Sequence, residues 1–154
     1  MERIPDVQRV RIQMEGGRRM VFFEWEDRYR LGVDVLDRQH ERLVKLVNEF
    51  YAAMYAGQGR KVLEKTLDAL LAYTETHFHT EERLMALHGY PDQAEHRRVH
   101  QRMREHVATL KARFDAGHLT SPVQISNFLK NWLSKHILET DKRLQPFLRQ
   151  VDPR

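Results

Sequence analysis

The stretch HFHTEE, at residues 77–82, decides how this chain of 154 residues is interpreted. His77 and Glu81 are four residues apart, and residues at that spacing differ by only about 40° around an α-helix. Both side chains therefore lie on one face of a helix. The same face carries the leucines of residues 63–70, so a histidine and a glutamate occupy positions where apolar core residues are expected.

Apolar residues recur at spacings of three, four and seven through four segments of the chain, which predicts four amphipathic helices. Asp37 is expected to cap the first helix, and Ser121 with Pro122 to begin the fourth. Because the links are only a few residues long, neighbouring helices must run in opposite directions. The predicted fold is therefore all-α, an antiparallel up-down-up-down four-helix bundle. The expected ranges are 37–56, 61–88, 91–115 with Pro91 in the first turn, and 121 to an end between 141 and 150.

The N-terminal part of the chain lacks this helical pattern. Residues 1–19 show little helical periodicity, and Gly16 and Gly17 indicate a turn. We predict a flexible, extended N-terminal arm at residues 1–19 and a single bundle domain at residues 20–154, which begins with the apolar stretch MVFFEW at 20–25.

Composition excludes several classes of protein. The chain has no cysteine, which rules out disulfides, thiolate zinc sites and cysteine-held iron–sulfur clusters. Its 26 basic and 22 acidic residues give a net charge of +4 without a long basic stripe, so a nucleic-acid partner is not expected. No apolar run is long enough to cross a bilayer and no secretory signal is visible. We therefore predict a monomer in the cytoplasm, without a membrane partner.

Four further histidines fall on the apolar stripes of the other helices: His40, His96, His100 and His136. His40 and the pair at 96 and 100 lie near the starts of the first and third helices. His77, Glu81 and His136 lie toward the ends of the second and fourth. In an up-down-up-down bundle these starts and ends share one pole, so the groups are predicted to converge in one half of the core.

Buried imidazoles and carboxylates are costly unless a partner satisfies them. Metal coordination is the usual solution, and mixed imidazole and carboxylate ligands suit iron, zinc, copper or nickel. Five histidines with a carboxylate are too many for one ion, which favours a dinuclear site. The alternative at this point is a bundle whose histidines are hydrogen-bonded and bind no metal.

The spacing of these residues resembles the hemerythrin family, in particular the bacterial single-domain hemerythrins. The resemblance covers about residues 20–150, and residues 1–19 depart from it. It rests on Trp25, Leu31-Gly32-Val33, Leu36-Asp37-Arg38-Gln39-His40, His77 to Glu82 with Met85, Tyr90-Pro91 followed by His96 and His100, and Trp132 to Ile137 followed by Asp141.

The resemblance implies a non-haem di-iron centre that binds dioxygen reversibly, for storage, delivery or sensing, without being an enzyme. Glu81, Asp141 and an oxo or hydroxo group would bridge the two ions. Dioxygen would bind at the open position of one ion, and Leu133 would line that pocket. The implied metal ligands are His96, His100 and His136 on one iron, His40 and His77 on the other, and Glu81 and Asp141 on both.

Asp141 could not be selected from periodicity. It lies five residues after His136, about 140° away around a regular helix, so either a π-bulge distorts the helix there or the backbone turns. Two other functions stay open: an enzyme that reduces peroxide or nitric oxide at a di-iron centre, and an iron reservoir. A redox or delivery partner also stays open. The chain has no Glu-x-x-His pair, the ligand pattern of ferritin-like di-iron proteins, which argues against ferroxidase chemistry.

Overall fold

The computed structural model describes residues 12–13, 19–117 and 121–148. Its body is helical, as predicted, and a two-residue antiparallel pairing of β1 with β2 precedes it, with Ile12 opposite Met20. The remainder of the predicted arm at residues 1–19 lies outside the described residues. The elements are β1 (Ile12–Gln13), β2 (Arg19–Met20), a 3-10 turn (Asp27–Tyr29), α1 (Asp34–Tyr55), α2 (Arg60–His88), α3 (Gln93–Asp115), α4 (Pro122–Lys135), a π-helical segment (His136–Thr140), a 3-10 segment (Asp141–Leu144) and α5 (Gln145–Leu148).

The start of α1 differs from the prediction. The helix begins at Asp34, and Asp37 lies inside its first turn, so the prediction that Asp37 caps the helix is wrong. Its carboxylate instead accepts backbone N–H groups of the preceding loop, from Leu31 at 2.7 Å and from Gly32 at 3.0 Å. Asp37 therefore fixes the loop that leads into the bundle, because it satisfies two amides that the loop leaves without backbone partners.

The other helix boundaries follow local chemistry. Gly89 ends α2 with φ of 65°, a left-handed conformation that glycine adopts without steric cost. Pro91 lies in the turn before α3, whose first residue is Gln93, so its predicted place in the first turn of the helix is wrong. At the start of α4 the Ser121 hydroxyl accepts the backbone N–H of Gln124, and the side-chain oxygen of Gln124 accepts the backbone N–H of Ser121. These two hydrogen bonds form a capping box.

The four long helices pack as an antiparallel bundle. α1 packs against α2 and α4, and α3 packs against α2. The start of α1 meets the end of α2, since His40 lies beside His77. No helix in the described part of the chain combines the length and apolar character that a membrane span requires.

The core consists of two apolar clusters separated by a polar layer. The larger cluster holds residues such as Leu43, Phe78 and Ile137. The smaller cluster holds Leu36, Met85 and Leu144, among others. A buried histidine or carboxylate lies between the two clusters on α1, on α2 and in the segment after α4. These residues are His40 between Leu36 and Leu43, Glu81 between Phe78 and Met85, and Asp141 between Ile137 and Leu144.

Candidate metal centre

The polar layer contains all seven residues that the resemblance implies as metal ligands. Each is at most 4% exposed, and Glu81, His40, His100 and Asp141 are fully buried. Their donor atoms form two sets, in each of which all atoms lie within 4.8 Å of one another. The sets are Glu81, His96, His100, His136 and Asp141, which we call the three-histidine half, and His40, His77, Glu81 and Asp141, which we call the two-histidine half.

The two halves share both carboxylates. Oε1 of Glu81 contacts Nε2 of His77 and lies 3.5 Å from Nε2 of His40, while Oε2 lies 2.8 Å from Nε2 of His96. Asp141 divides its oxygens in the same way. Its Oδ2 lies 2.9 Å from Nε2 of His40, and its Oδ1 lies 3.1 Å from Nε2 of His96. Each carboxylate therefore presents one oxygen to each half, the arrangement of a ligand that bridges two cations.

The atoms that face the centre fit a cation better than they fit one another. Although they are close, several lack an aligned hydrogen-bond partner, which is costly for fully buried groups. One cation in each half would satisfy these atoms. Imidazole with carboxylate is a donor set suited to iron or zinc. The unpartnered atoms are both carboxylate oxygens of Glu81, Nε2 of His96, His100 and His136, and Oδ1 of Asp141.

Asp141 reaches the layer because the helix changes its winding. The backbone leaves the α-helical form at His136 and is π-helical through Thr140. A π-turn holds more residues than an α-turn, so the carboxylate five residues after His136 lies on the inward face, 3.0 Å from Nε2 of that histidine. The π-bulge alternative is therefore the one observed.

Without metal, protons balance the two carboxylates. Burial lowers the pKa of His77, but Glu81 and Asp141 outweigh burial and raise this pKa to about 10. The same balance raises the pKa of His96 to about 9. Burial raises the pKa of each carboxyl group, yet the neighbouring histidines hold the pKa of Glu81 and Asp141 well below the usual range. A centre stripped of metal would therefore contain imidazolium–carboxylate pairs at neutral pH.

The outer ring nitrogen of His77, Nδ1, which points away from the centre, is hydrogen-bonded to a neutral side-chain amide. Thr80 donates its hydroxyl to the carbonyl of Thr76, so its oxygen is left to accept from Nε2 of Gln39 at 3.0 Å. Oε1 of Gln39 then faces Nδ1 of His77 at 2.8 Å. Because Oε1 can only accept, Nδ1 donates, so the proton that a cation would displace is the one on Nε2, and the lone pair it leaves would point at the centre.

A charged carboxylate holds the outer nitrogen of His100. Nδ1 of His100 lies 3.2 Å from Oε1 of Glu82. Arg104 donates to both oxygens of Glu82, at 3.2 and 3.3 Å, and to both oxygens of Glu75, at 3.0 and 2.8 Å. Burial raises the pKa of Glu82, but hydrogen bonds from Arg104 and His100 outweigh it, so the net pKa is lowered and the carboxylate is charged at neutral pH.

Aromatic rings fix the imidazole planes. Phe78 stacks on His100 with centroids 3.9 Å apart, and Trp132 stacks on His136 at 4.7 Å. The sequence assigned no role to these aromatic partners, nor to Gln39 or Glu82. The available signal was position: Gln39 and Glu82 each adjoin an inward-facing ligand, about 100° around the helix, and so face a neighbouring helix.

Leu133 lies one turn before His136 on α4. It is 2% exposed and belongs to the larger apolar cluster, together with Phe78 and Ile137. This placement agrees with an apolar lining, while the role in an oxygen pocket stays a prediction.

Four antiparallel helices that enclose two linked sets of histidines and carboxylates define a class of protein: a helical bundle with a candidate site for two cations. The family model described as "Hemerythrin HHE cation binding domain" matches residues 31–148. The chain therefore belongs to the hemerythrin family.

Individual relatives agree with this assignment. The chain is 36% identical over 123 residues to a bacteriohemerythrin of Stenotrophomonas maltophilia, covering 80% of this chain and 79% of the relative. It is 34% identical over 116 residues to a bacteriohemerythrin of Methylococcus capsulatus, covering 75% and 88%. A crystal structure of wild-type hemerythrin superimposes with a TM-score of 0.73 at 31% identity, over 81% of this chain and 96% of that one.

Proposed function

We propose that the chain holds two iron ions in its polar layer and binds dioxygen reversibly there. One observation carries the proposal: Glu81 and Asp141 each present one oxygen to the two-histidine half and the other to the three-histidine half. Such sharing is expected of bridging ligands and serves no purpose in a site for a single ion. The membership of the hemerythrin family and the bacteriohemerythrin relatives support the same conclusion.

The ligand assignment follows the two sets of atoms. His96, His100 and His136 would hold one ion, and His40 with His77 the other, while both carboxylates serve each ion. The two-histidine half offers one protein donor fewer, so it leaves room for an external ligand. Iron, when bound, supplies the reversible exchange of electrons with dioxygen.

The residues of the chain would keep that reaction reversible. Leu133, Phe78 and Ile137 give the layer an apolar boundary, which limits the access of water and of groups that could donate protons. The hydrogen bonds to Gln39 and Glu82 keep two imidazoles in the tautomer that directs Nε2 inward. The apolar boundary favours binding of dioxygen over cleavage of its bond, and the hydrogen bonds keep the ligand nitrogens oriented.

Optical spectroscopy of the iron(II) protein tests this function. The expected result is two irons per chain and a visible charge-transfer band that appears with oxygen and disappears when oxygen is removed. A colourless protein that holds zinc, or no metal, after reconstitution with iron would contradict the proposal. Rapid consumption of peroxide with a reductant would point instead to the enzymatic alternative. A cytoplasmic monomer remains our prediction for its state and location.

A further inference from the structure

The outer nitrogens of two candidate ligands have partners of unequal charge. In the two-histidine half, Nδ1 of His77 meets the neutral carboxamide of Gln39 at 2.8 Å. In the three-histidine half, Nδ1 of His100 meets the carboxylate of Glu82 at 3.2 Å. Gln39 and Glu82 have similar size and shape, so charge is the main difference between the two contacts.

Each partner is held in place by a second contact. Gln39 is oriented by Thr80, whose own hydroxyl is committed to the carbonyl of Thr76. Glu82 is oriented by two hydrogen bonds from Arg104. The Arg104 guanidinium is itself held by Glu75 and lies 5.2 Å from the centre of the Phe78 ring, which stacks on His100. The difference in charge between the partners of His77 and His100 is therefore maintained by ordered contacts.

A carboxylate that accepts from the outer N–H of an imidazole makes the inner nitrogen a stronger donor to a cation, and a neutral amide does so less. We propose that Glu82 and Gln39 are positioning residues that set the two halves to unequal strength. Glu82 makes the three-histidine half the tighter cation site, and Gln39 leaves the two-histidine half the weaker one. The proposal rests on the proposed function, because it assumes that the seven inward residues are metal ligands.

The unequal number of histidines would also make the halves differ, so the test must isolate the outer partners. Two isosteric substitutions with opposite charge changes do this. Glu82→Gln removes the charge beside His100 and keeps the hydrogen-bond acceptor. Gln39→Glu adds a charge beside His77. Glu64→Gln is the matched control, because Glu64 lies on α2 and pairs with Arg60 at 3.0 Å, away from the polar layer.

The experiment is a titration of the metal-free protein with Co²⁺, followed by its visible absorption bands and by calorimetry. The wild type is expected to bind two ions in two steps, the first in the tighter three-histidine half and the second in the two-histidine half. Glu82→Gln should weaken the first step about tenfold and leave the second within about twofold. Gln39→Glu should strengthen the second step about tenfold and spare the first. Glu64→Gln should leave both steps unchanged.

The outcomes separate the two proposals. If the wild type binds two ions but both isosteric variants keep wild-type steps, or if each variant shifts both steps equally, the positioning roles are overturned and the metal site stands. If the wild type binds fewer than two ions, the proposed function fails and this inference fails with it. Far-ultraviolet circular dichroism of each metal-free variant verifies the fold.

Discussion

Nε2 of His40 lies 2.9 Å from Oδ2 of Asp141, although the two residues are 101 positions apart in the chain. The contact joins the start of α1 to the segment that follows α4. It exists because the π-helical segment His136–Thr140 turns Asp141 inward. The two-histidine half is therefore completed by a residue that a regular helix would place away from the core.

Replacing Asp141 with asparagine tests this completion. Asp141→Asn keeps the size of the side chain but removes its charge and one oxygen acceptor. We expect the iron content to fall from two ions to about one or fewer per chain, as measured by elemental analysis, because affinity depends on deprotonated oxygen ligands. Glu139→Gln, in the same segment but exposed, should keep both ions. Full loading of Asp141→Asn would contradict the assignment.

Metal binding should release protons. The metal-free centre keeps His77 and His96 protonated at neutral pH, since their pKa values are raised to about 10 and about 9. A cation must displace both protons, so about two protons should leave per loaded chain at pH 7. Affinity should rise with pH, by up to about 100-fold per unit, and level off above about pH 10. Calorimetry in buffers of different ionisation enthalpy counts the protons, and a count of zero would be inconsistent with this charge balance.

Leu133 should protect the oxygenated form. Leu133→Ala opens space beside His136. It is expected to shorten the lifetime of the oxygenated protein, followed by its charge-transfer band, because water gains access to the centre. It should also cost about 2–5 kcal/mol in the free energy of unfolding. Leu129→Ala is the matched control, since Leu129 is a buried leucine one turn earlier on α4 in the same cluster. Equal lifetimes in the two variants would argue against a lining role for Leu133.

Asp37 should stabilise the loop before α1. Asp37→Ala leaves the backbone N–H groups of Leu31 and Gly32 without their acceptor, which should lower the free energy of unfolding by about 1–3 kcal/mol. Asp34→Ala, at a side chain that is 74% exposed, should cost less than about 1 kcal/mol. Denaturant unfolding of the metal-free proteins measures both. Comparable losses would show that helix-end charge, rather than the loop contacts, accounts for the effect.

The sequence predicts the parts of this molecule that depend on periodicity. The apolar stripes locate four helices, and the interruptions at His40, His77, Glu81 and the remaining inward histidines locate the polar layer. Two of the features that escape it show why. Asp141 depends on a local change of winding that no spacing rule indicates, and only the family resemblance selects it. The loop contacts of Asp37 depend on where the preceding residues fold, because an acidic residue near a helix start looks like a cap in either case.

The π-helical segment also has an effect farther along the chain. Because it adds a residue to one turn, it sets the direction of the segment that follows, in which Leu144 and Leu148 are buried in the smaller apolar cluster with Leu31, Leu36 and Tyr90. The last described turns thus follow directly on Asp141, which we propose as a ligand of both cations. Amide hydrogen exchange at residues 144–148 should consequently slow as the centre fills, which makes this segment an external gauge of metal occupancy.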